Sequence, residues 1–203
     1  GALAQCFFAL ICALALCTSR WWVTVTTRPP SGTVPADVRK LLLLTTLLIL
    51  GQLALGAAMR HQHAGLAVPD FPLAYGKLWP GTDAAALAGY NGARLDAREF
   101  KAITAGQIYL HMAHRCGAVV VLGAVLACLL RLRRTVGPAH SLARMGQGWL
   151  GLICVQAGLG IWTVLSNKAA DIATLHVVVG ALALVTGTLL TLLASQAYGG
   201  ESS

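Results

Sequence analysis

The chain has 203 residues, 57% hydrophobic and only 11% charged, with a mean hydropathy of +0.70. That composition excludes an ordinary water-soluble domain. The net charge of +8 does not point to nucleic acid, because the basic residues gather in particular loops.

A helix that crosses a bilayer needs about 20 mainly apolar residues. The first candidate is Gly1–Cys17, followed by Trp21 and Trp22 at interfacial positions. There is no initiator Met, basic n-region or small-residue cleavage site, so the chain reads as a partial one that begins mid-helix. Arg28-Pro29-Pro30-Ser31-Gly32 and Pro35 make a connector that cannot be helical throughout, the one boundary between structural units. The second candidate, Leu41–Met59, runs into Arg60-His61-Gln62-His63 and then a segment from Ala64 to Gly76. The prolines and glycines of that segment predict an ordered turn. Asn91–Lys101 could lie on the membrane surface as a short helix, with Asp96, Arg98, Glu99 and Lys101 as its solvated face. The third, fourth and fifth candidates are Gln107–Leu130, Gly148–Leu165 and Ile172–Ser195. The expected fold is therefore an all-α polytopic membrane protein. Residues 41–203 form an antiparallel four-helix bundle, and residues 1–40 supply one preceding transmembrane helix and a linker.

Loop 18–40 holds Arg20, Arg28, Arg39 and Lys40 against one Asp, and loop 131–146 holds Arg131, Arg133, Arg134 and Arg144 with no acid. By the positive-inside rule both are cytoplasmic. Segments 60–106 and 166–171 are then outside, as is Gly1, and Ser203 is inside. Cys6, Cys12, Cys17, Cys116, Cys128 and Cys154 fall within or at the ends of spans. They read as small apolar residues, not as disulfides or zinc ligands.

Two histidines stand inside apolar spans, His114 in the third and His176 in the fifth. An ionisable residue within the membrane suggests a functional site. Both helices run inward from the same face, so the two imidazoles are expected at similar depth in the outer half of the bilayer. Either could bind metal through a neutral ring nitrogen; the bland alternative is an interhelical hydrogen bond. A matched pair points to the two axial ligands of one haem iron. Arg115, beside His114, needs a partner, and no acid lies in the central part of any span. Haem propionates would serve, with Arg115 or Arg60 as donor, unless Arg115 snorkels to the headgroups. His111 shares a face with His114 and is a candidate supporting group. His61 and His63 are supporting groups, proton carriers or solvated loop residues, and His140 has no assigned role. Gln52 and Gly56 in the second span, and Gln156 and Gly160 in the fourth, are each four apart on one helical face. The glycines give clearance to a flat ligand or to another helix. No phosphate loop, nucleophile arrangement or intramembrane carboxylate pair occurs, so nucleotide binding and hydrolysis are poorly supported.

Several stretches together resemble the haem A synthase (cytochrome oxidase assembly) family. They are Gly56-Ala-Ala-Met-Arg60-His61, Gly65-Leu-Ala-Val-Pro-Asp-Phe-Pro72, His111-Met-Ala-His114-Arg115, and Gln156-Ala-Gly-Leu-Gly-Ile-Trp-Thr163 with His176. The resemblance covers about residues 41 to 195. It implies eight-helix proteins of two similar halves, the first binding the substrate haem O and the second binding haem b, and oxidation of the haem O C8 methyl to a formyl group. This chain would be the second half preceded by the last helix of the first, with His114 and His176 as haem b ligands, and inactive alone. A bacterial inner-membrane location follows, with haem O in the missing half and membrane lipid as partners. Haem O synthase or oxidase assembly factors are further candidate partners. Two departures stand out. The outer-loop cysteine pair common in the family is matched here by Val68 and Ala74. The carboxylate three residues before the ligand histidine of the first half is matched by His111. The rivals are a non-catalytic b-type cytochrome with the same ligands, and a haem-free transporter or scaffold.

Overall fold

The computed structural model describes residues 2–27, 33–93 and 102–196. Among them are seven α-helices. These are α1 (Ala2–Cys17), α2 (Arg20–Thr27), α3 (Ala36–His61), α4 (Ala84–Gly92), α5 (Ala105–Thr135), α6 (Ser141–Leu165) and α7 (Ala170–Gln196), with a 3-10 turn at Ala64–Leu66. The chain is thus an all-α membrane protein. Helices α3, α5, α6 and α7 are each long and apolar enough to cross a bilayer.

All four spans outrun the apolar windows that mark them in the sequence. Hydropathy ends at the first charge, but a helix continues while its end groups are satisfied. At the start of α5 the Thr104 hydroxyl accepts the Gln107 N–H, and the Gln107 side chain accepts the Thr104 N–H, a reciprocal capping box. At the start of α6, His140 caps the helix by accepting the Leu142 N–H at 3.2 Å on Nδ1.

Three shorter helices complete the described elements. Helix α1 covers the first candidate over Ala2–Cys17 and packs along α7. The segment after it is helical as α2, despite a β-branched sequence of low helix propensity, while Arg28–Gly32 of the predicted connector lie outside the described residues. Helix α4, started by Asp83, whose carboxylate accepts the Ala86 N–H at 2.9 Å, ends within the first residues of the stretch Asn91–Lys101 that was expected to lie on the membrane surface. Residues 94–101, including Asp96, Arg98, Glu99 and Lys101, lie outside the described residues.

The four spans alternate in direction and form a ring. Helix α3 packs on α5 and α7, and α6 packs on the same two, so α5 and α7 face each other across the diagonal. One end of the bundle carries residues 62–104 and 166–169; we call it the loop end. The other carries 136–140 and the arginines that close α5; we call it the basic end. Most of the packed core lies toward the basic end, around Leu42, Val125, Leu132, Leu142, Trp149 and Leu190. Trp149 is wholly buried and its indole N–H donates to the Ala183 carbonyl at 2.8 Å.

Gly187 makes that tryptophan possible. A Cβ there would stand 2.6 Å from Trp149 Cζ2 and 2.7 Å from Thr46 Oγ1. Overpacking a filled core destabilises by about 1–3 kcal/mol. Gly187→Ala is therefore expected to lower the midpoint of thermal unfolding in detergent by several degrees, read by circular dichroism.

Candidate functional site

Helices α5 and α7 both start at the loop end. His114 is the tenth residue of α5 and His176 the seventh of α7, a difference of about 4.5 Å in nominal rise. Both residues are partly buried. The structure thus places the pair that the sequence singled out at similar depth on helices that face each other across the diagonal of the bundle.

Each ring rests on a neighbouring helix in the same way. A Cβ on Gly56 of α3 would be 3.3 Å from His114 Cε1, and one on Gly160 of α6 would be 3.1 Å from His176 Cε1. The glycines thus clear space for the imidazoles themselves. Each ring also turns Nδ1 toward the glutamine four residues before its glycine. Gln52 Nε2 lies 3.1 Å from His114 Nδ1 and donates to the His114 carbonyl at 2.8 Å. His176 Nδ1 lies 3.1 Å from the Gln156 backbone carbonyl. Further glycines admit the glutamine side chains. A Cβ on Gly117 would overlap Gln52 Oε1, and one on Gly180 would be 2.9 Å from Gln156 Nε2. Sequence reasoning missed these last two, although each follows its histidine at helical spacing on one face.

Above the histidines sits a folded cap. Ala67, Val68, Ala74, Ile103, Ile108 and Met112 form a buried cluster with Tyr75, Leu87 and Tyr90 against it. Val68 and Ala74, matched in the sequence to the family's cysteine pair, are both within it. His111 is buried and its Nδ1 accepts the Val68 N–H at 3.3 Å. It holds the cap to α5 and supports His114 only from the turn above.

Arg115 finds its partners in the same cap. Its guanidinium donates to the carbonyls of Leu73 (3.0 Å), Val68 (3.1 Å) and Asp70 (2.7 Å), and lies 5.8 Å from the centre of the Phe71 ring. The sequence led us to expect an anion here. Three carbonyls and an aromatic face meet the need instead, because the 68–73 segment folds back along α5. Arg60, His61 and His63 are exposed at the end of α3 and do not converge on the two rings.

The tip of the cap is a two-residue turn. Tyr75 and Gly76 have φ of 52° and 72°, and Ala74 pairs with Lys77 across them, the geometry of a type I′ turn. A tyrosine in the left-handed region needs support. Asp70 supplies it, accepting the Tyr75 N–H at 2.7 Å and the Gly76 N–H at 2.9 Å. The Tyr75 hydroxyl donates to the Ala67 carbonyl at 2.7 Å, and its ring stacks on Tyr90. Burial pushes the Asp70 carboxyl up, but the N–H groups of Gly76 and Tyr75, with Arg115 nearby, outweigh it and hold it below the usual carboxylate range. A depressed carboxyl stabilises the folded turn when ionised. That contribution is complete above about pH 4 and is lost as the pH falls through the lower, folded value. The protection of the residue 70–77 amides, relative to their intrinsic exchange rate at each pH, should therefore fall on acidification below about pH 4, and Asp70→Asn should abolish that dependence.

Residues 4–188 match the model of the family described as "Cytochrome oxidase assembly protein". The chain belongs to the cytochrome oxidase assembly family. Two curated relatives carry the name "Heme A synthase". The one from Caulobacter sp. (strain K31) is 32% identical over 140 residues, and the one from Caulobacter vibrioides (strain ATCC 19089 / CIP 103742 / CB 15) is 29% identical over 140 residues. In both comparisons 68% of this chain is covered against 37% of the relative, so the chain spans well under half the length of these relatives. No solved structure matches the chain. Membership accords with the membrane helices and marks the chain as one of an oxidoreductase-type family.

The site's donor set suits a haem. Among the described residues no three His, Cys, Asp or Glu side chains converge on a bare metal ion. Two imidazoles are too few for such an ion, which usually takes three or four protein ligands. They are the number an iron needs when a porphyrin fills its plane. Neither Nε2 has a hydrogen-bond partner among the described residues, and the buried Gln156 Oε1 is also unpartnered.

Proposed function

We propose that the chain is the haem b-binding half of a haem A synthase, with His114 and His176 as the two axial ligands. The observation that carries the reading is the pair of glycine-seated imidazoles on co-directional helices facing each other across the bundle. Bound there, a b-type haem supplies one-electron redox chemistry. The chain's own residues hold both imidazoles in place and shield them with the cap. Arg60, exposed at the end of α3, is the cation available to a propionate, while Arg115 secures the cap.

Residues 1–40 read as the last transmembrane helix of a first half and its linker, and 41–203 as the second half. The first half would bind haem O, whose C8 methyl the whole protein oxidises to a formyl group. The basic end faces the cytoplasm, as the positive-inside rule directs, and the histidines lie in the outer half of the bilayer. Lipid surrounds the bundle, and haem O synthase or oxidase assembly factors are the partners suited to pass haem to or from it.

Purified from membranes, the protein should show a six-coordinate haem spectrum with two imidazole ligands. His114→Ala and His176→Ala should each abolish that spectrum. A colourless wild type, or an unchanged spectrum in either variant, would rule the assignment out. Conversion of haem O by the full-length protein separates the synthase from an electron-relaying cytochrome with the same ligands.

A further inference from the structure

We infer that the two histidines are unequal ligands: Gln52 holds His114 in the tautomer that covers its iron-binding lone pair, so His176 is the anchor and His114 the displaceable partner. This rests on the haem reading above.

A backbone carbonyl can only accept. The 3.1 Å contact of His176 Nδ1 with the Gln156 carbonyl therefore places the proton on Nδ1. The His176 Nε2 lone pair is then open, the arrangement by which a backbone partner fixes a metal-binding imidazole. His114 is different. The group facing its Nδ1 is the Gln52 amide nitrogen, which also donates to the His114 carbonyl. An amide nitrogen can only donate, so Nδ1 accepts and the neutral ring carries its proton on Nε2.

For His114 to ligate through Nε2, the proton must move to Nδ1 and Nδ1 must find an acceptor. Turning the Gln52 carboxamide over would offer Oε1. The same turn would set Oε1 against the His114 carbonyl, replacing a 2.8 Å hydrogen bond with two opposed oxygens. It would also take Oε1 from the notch that Gly117 leaves for it. Ligation by His114 thus requires a local rearrangement that ligation by His176 does not. The two Gln-x-x-x-Gly motifs look alike in sequence but differ in use. Gln52 works through its side chain, whereas Gln156 works through its backbone carbonyl, with its side-chain oxygen buried and unpartnered.

The test uses the purified, haem-loaded protein and carbon monoxide as a probe of the reduced haem. His114→Ala should retain haem as a five-coordinate species that binds carbon monoxide directly, and His176→Ala should lose its haem. Gln52→Glu replaces the donor facing Nδ1 with an acceptor; no longer bonded to the His114 carbonyl, the carboxylate can turn away from that oxygen toward Nδ1 and should strengthen the His114 bond. Carbon monoxide binding should then slow by roughly three- to tenfold relative to wild type, the worth of about one hydrogen bond. A merely structural role for Gln52 would leave that rate unchanged. If Gln52→Glu does not accumulate, the two alanine variants decide. Equal haem retention in both, retention in His176→Ala alone, or an unchanged rate in Gln52→Glu would overturn the inference. A colourless wild type would overturn the haem reading itself.

Discussion

On the proposed haem reading, Gly160→Leu should strip the protein of most of its haem while leaving the bundle folded. A single Cβ at this position already stands 3.1 Å from His176 Cε1, closer than side chains comfortably pack. An isobutyl group would add bulk against the imidazole, three of whose ring atoms are the nearest neighbours of that Cβ. The ring would have to swing off α6, breaking the contact between Nδ1 and the Gln156 carbonyl that fixes its tautomer. Overpacking of this kind amounts to about 1–3 kcal/mol, and misplacing the proposed ligand would add to it. We expect haem occupancy to fall at least tenfold, read as haem per protein after purification. Gly160→Ala should show a smaller loss, because the neighbouring ring need move only a few tenths of an ångström. Full occupancy in the leucine variant would mean that the glycine does not seat a ligand.

Arg115→Met should release the cap. The guanidinium ties three carbonyls of the 68–73 segment to α5, and methionine keeps the length while removing every donor. Hydrogen bonds from a charged group are each worth about 1.5–3 kcal/mol. Partial exposure and access of water to the freed carbonyls reduce the total, so the opening of the cap should become easier by about 2–4 kcal/mol. Hydrogen exchange is the direct measurement: protection of residues 64–77 should drop by one to three orders of magnitude, with α6 and α7 unaffected. Arg115→Lys should recover part of the protection, since an ammonium donates but cannot span the same fork. If exchange in the cap were unchanged, the arginine would be answering to something other than these carbonyls.

Hydropathy alone finds α3, α5, α6 and α7, because lipid-facing and core-facing positions are both apolar and each segment reads as a continuous run. Their ends are harder to read. Asp37, Arg39 and Lys40 stop the apolar run yet stand in the first turns of α3. Helix α4 was signalled by Asp83 ahead of a run of alanines, a helix start visible in the sequence that a search for charged faces passes over. The histidine pair was legible because polar residues are rare in such spans. The partners of Arg115 were not, since the carbonyls it holds lie more than forty residues upstream. Every residue has a carbonyl, so nothing in the one-letter code marks the three that fold back to meet it.

The seating of the two rings bears on how such a centre can be assembled. Gln52 and Gly56 serve His114 on the very next spanning helix, and Gln156 and Gly160 do the same for His176. Each imidazole is thus oriented entirely within one helical hairpin, before the other hairpin is needed. Insertion and association can then be separate events, as in two-stage membrane folding. The bilayer receives two prefabricated jaws, and only their docking creates the gap between them.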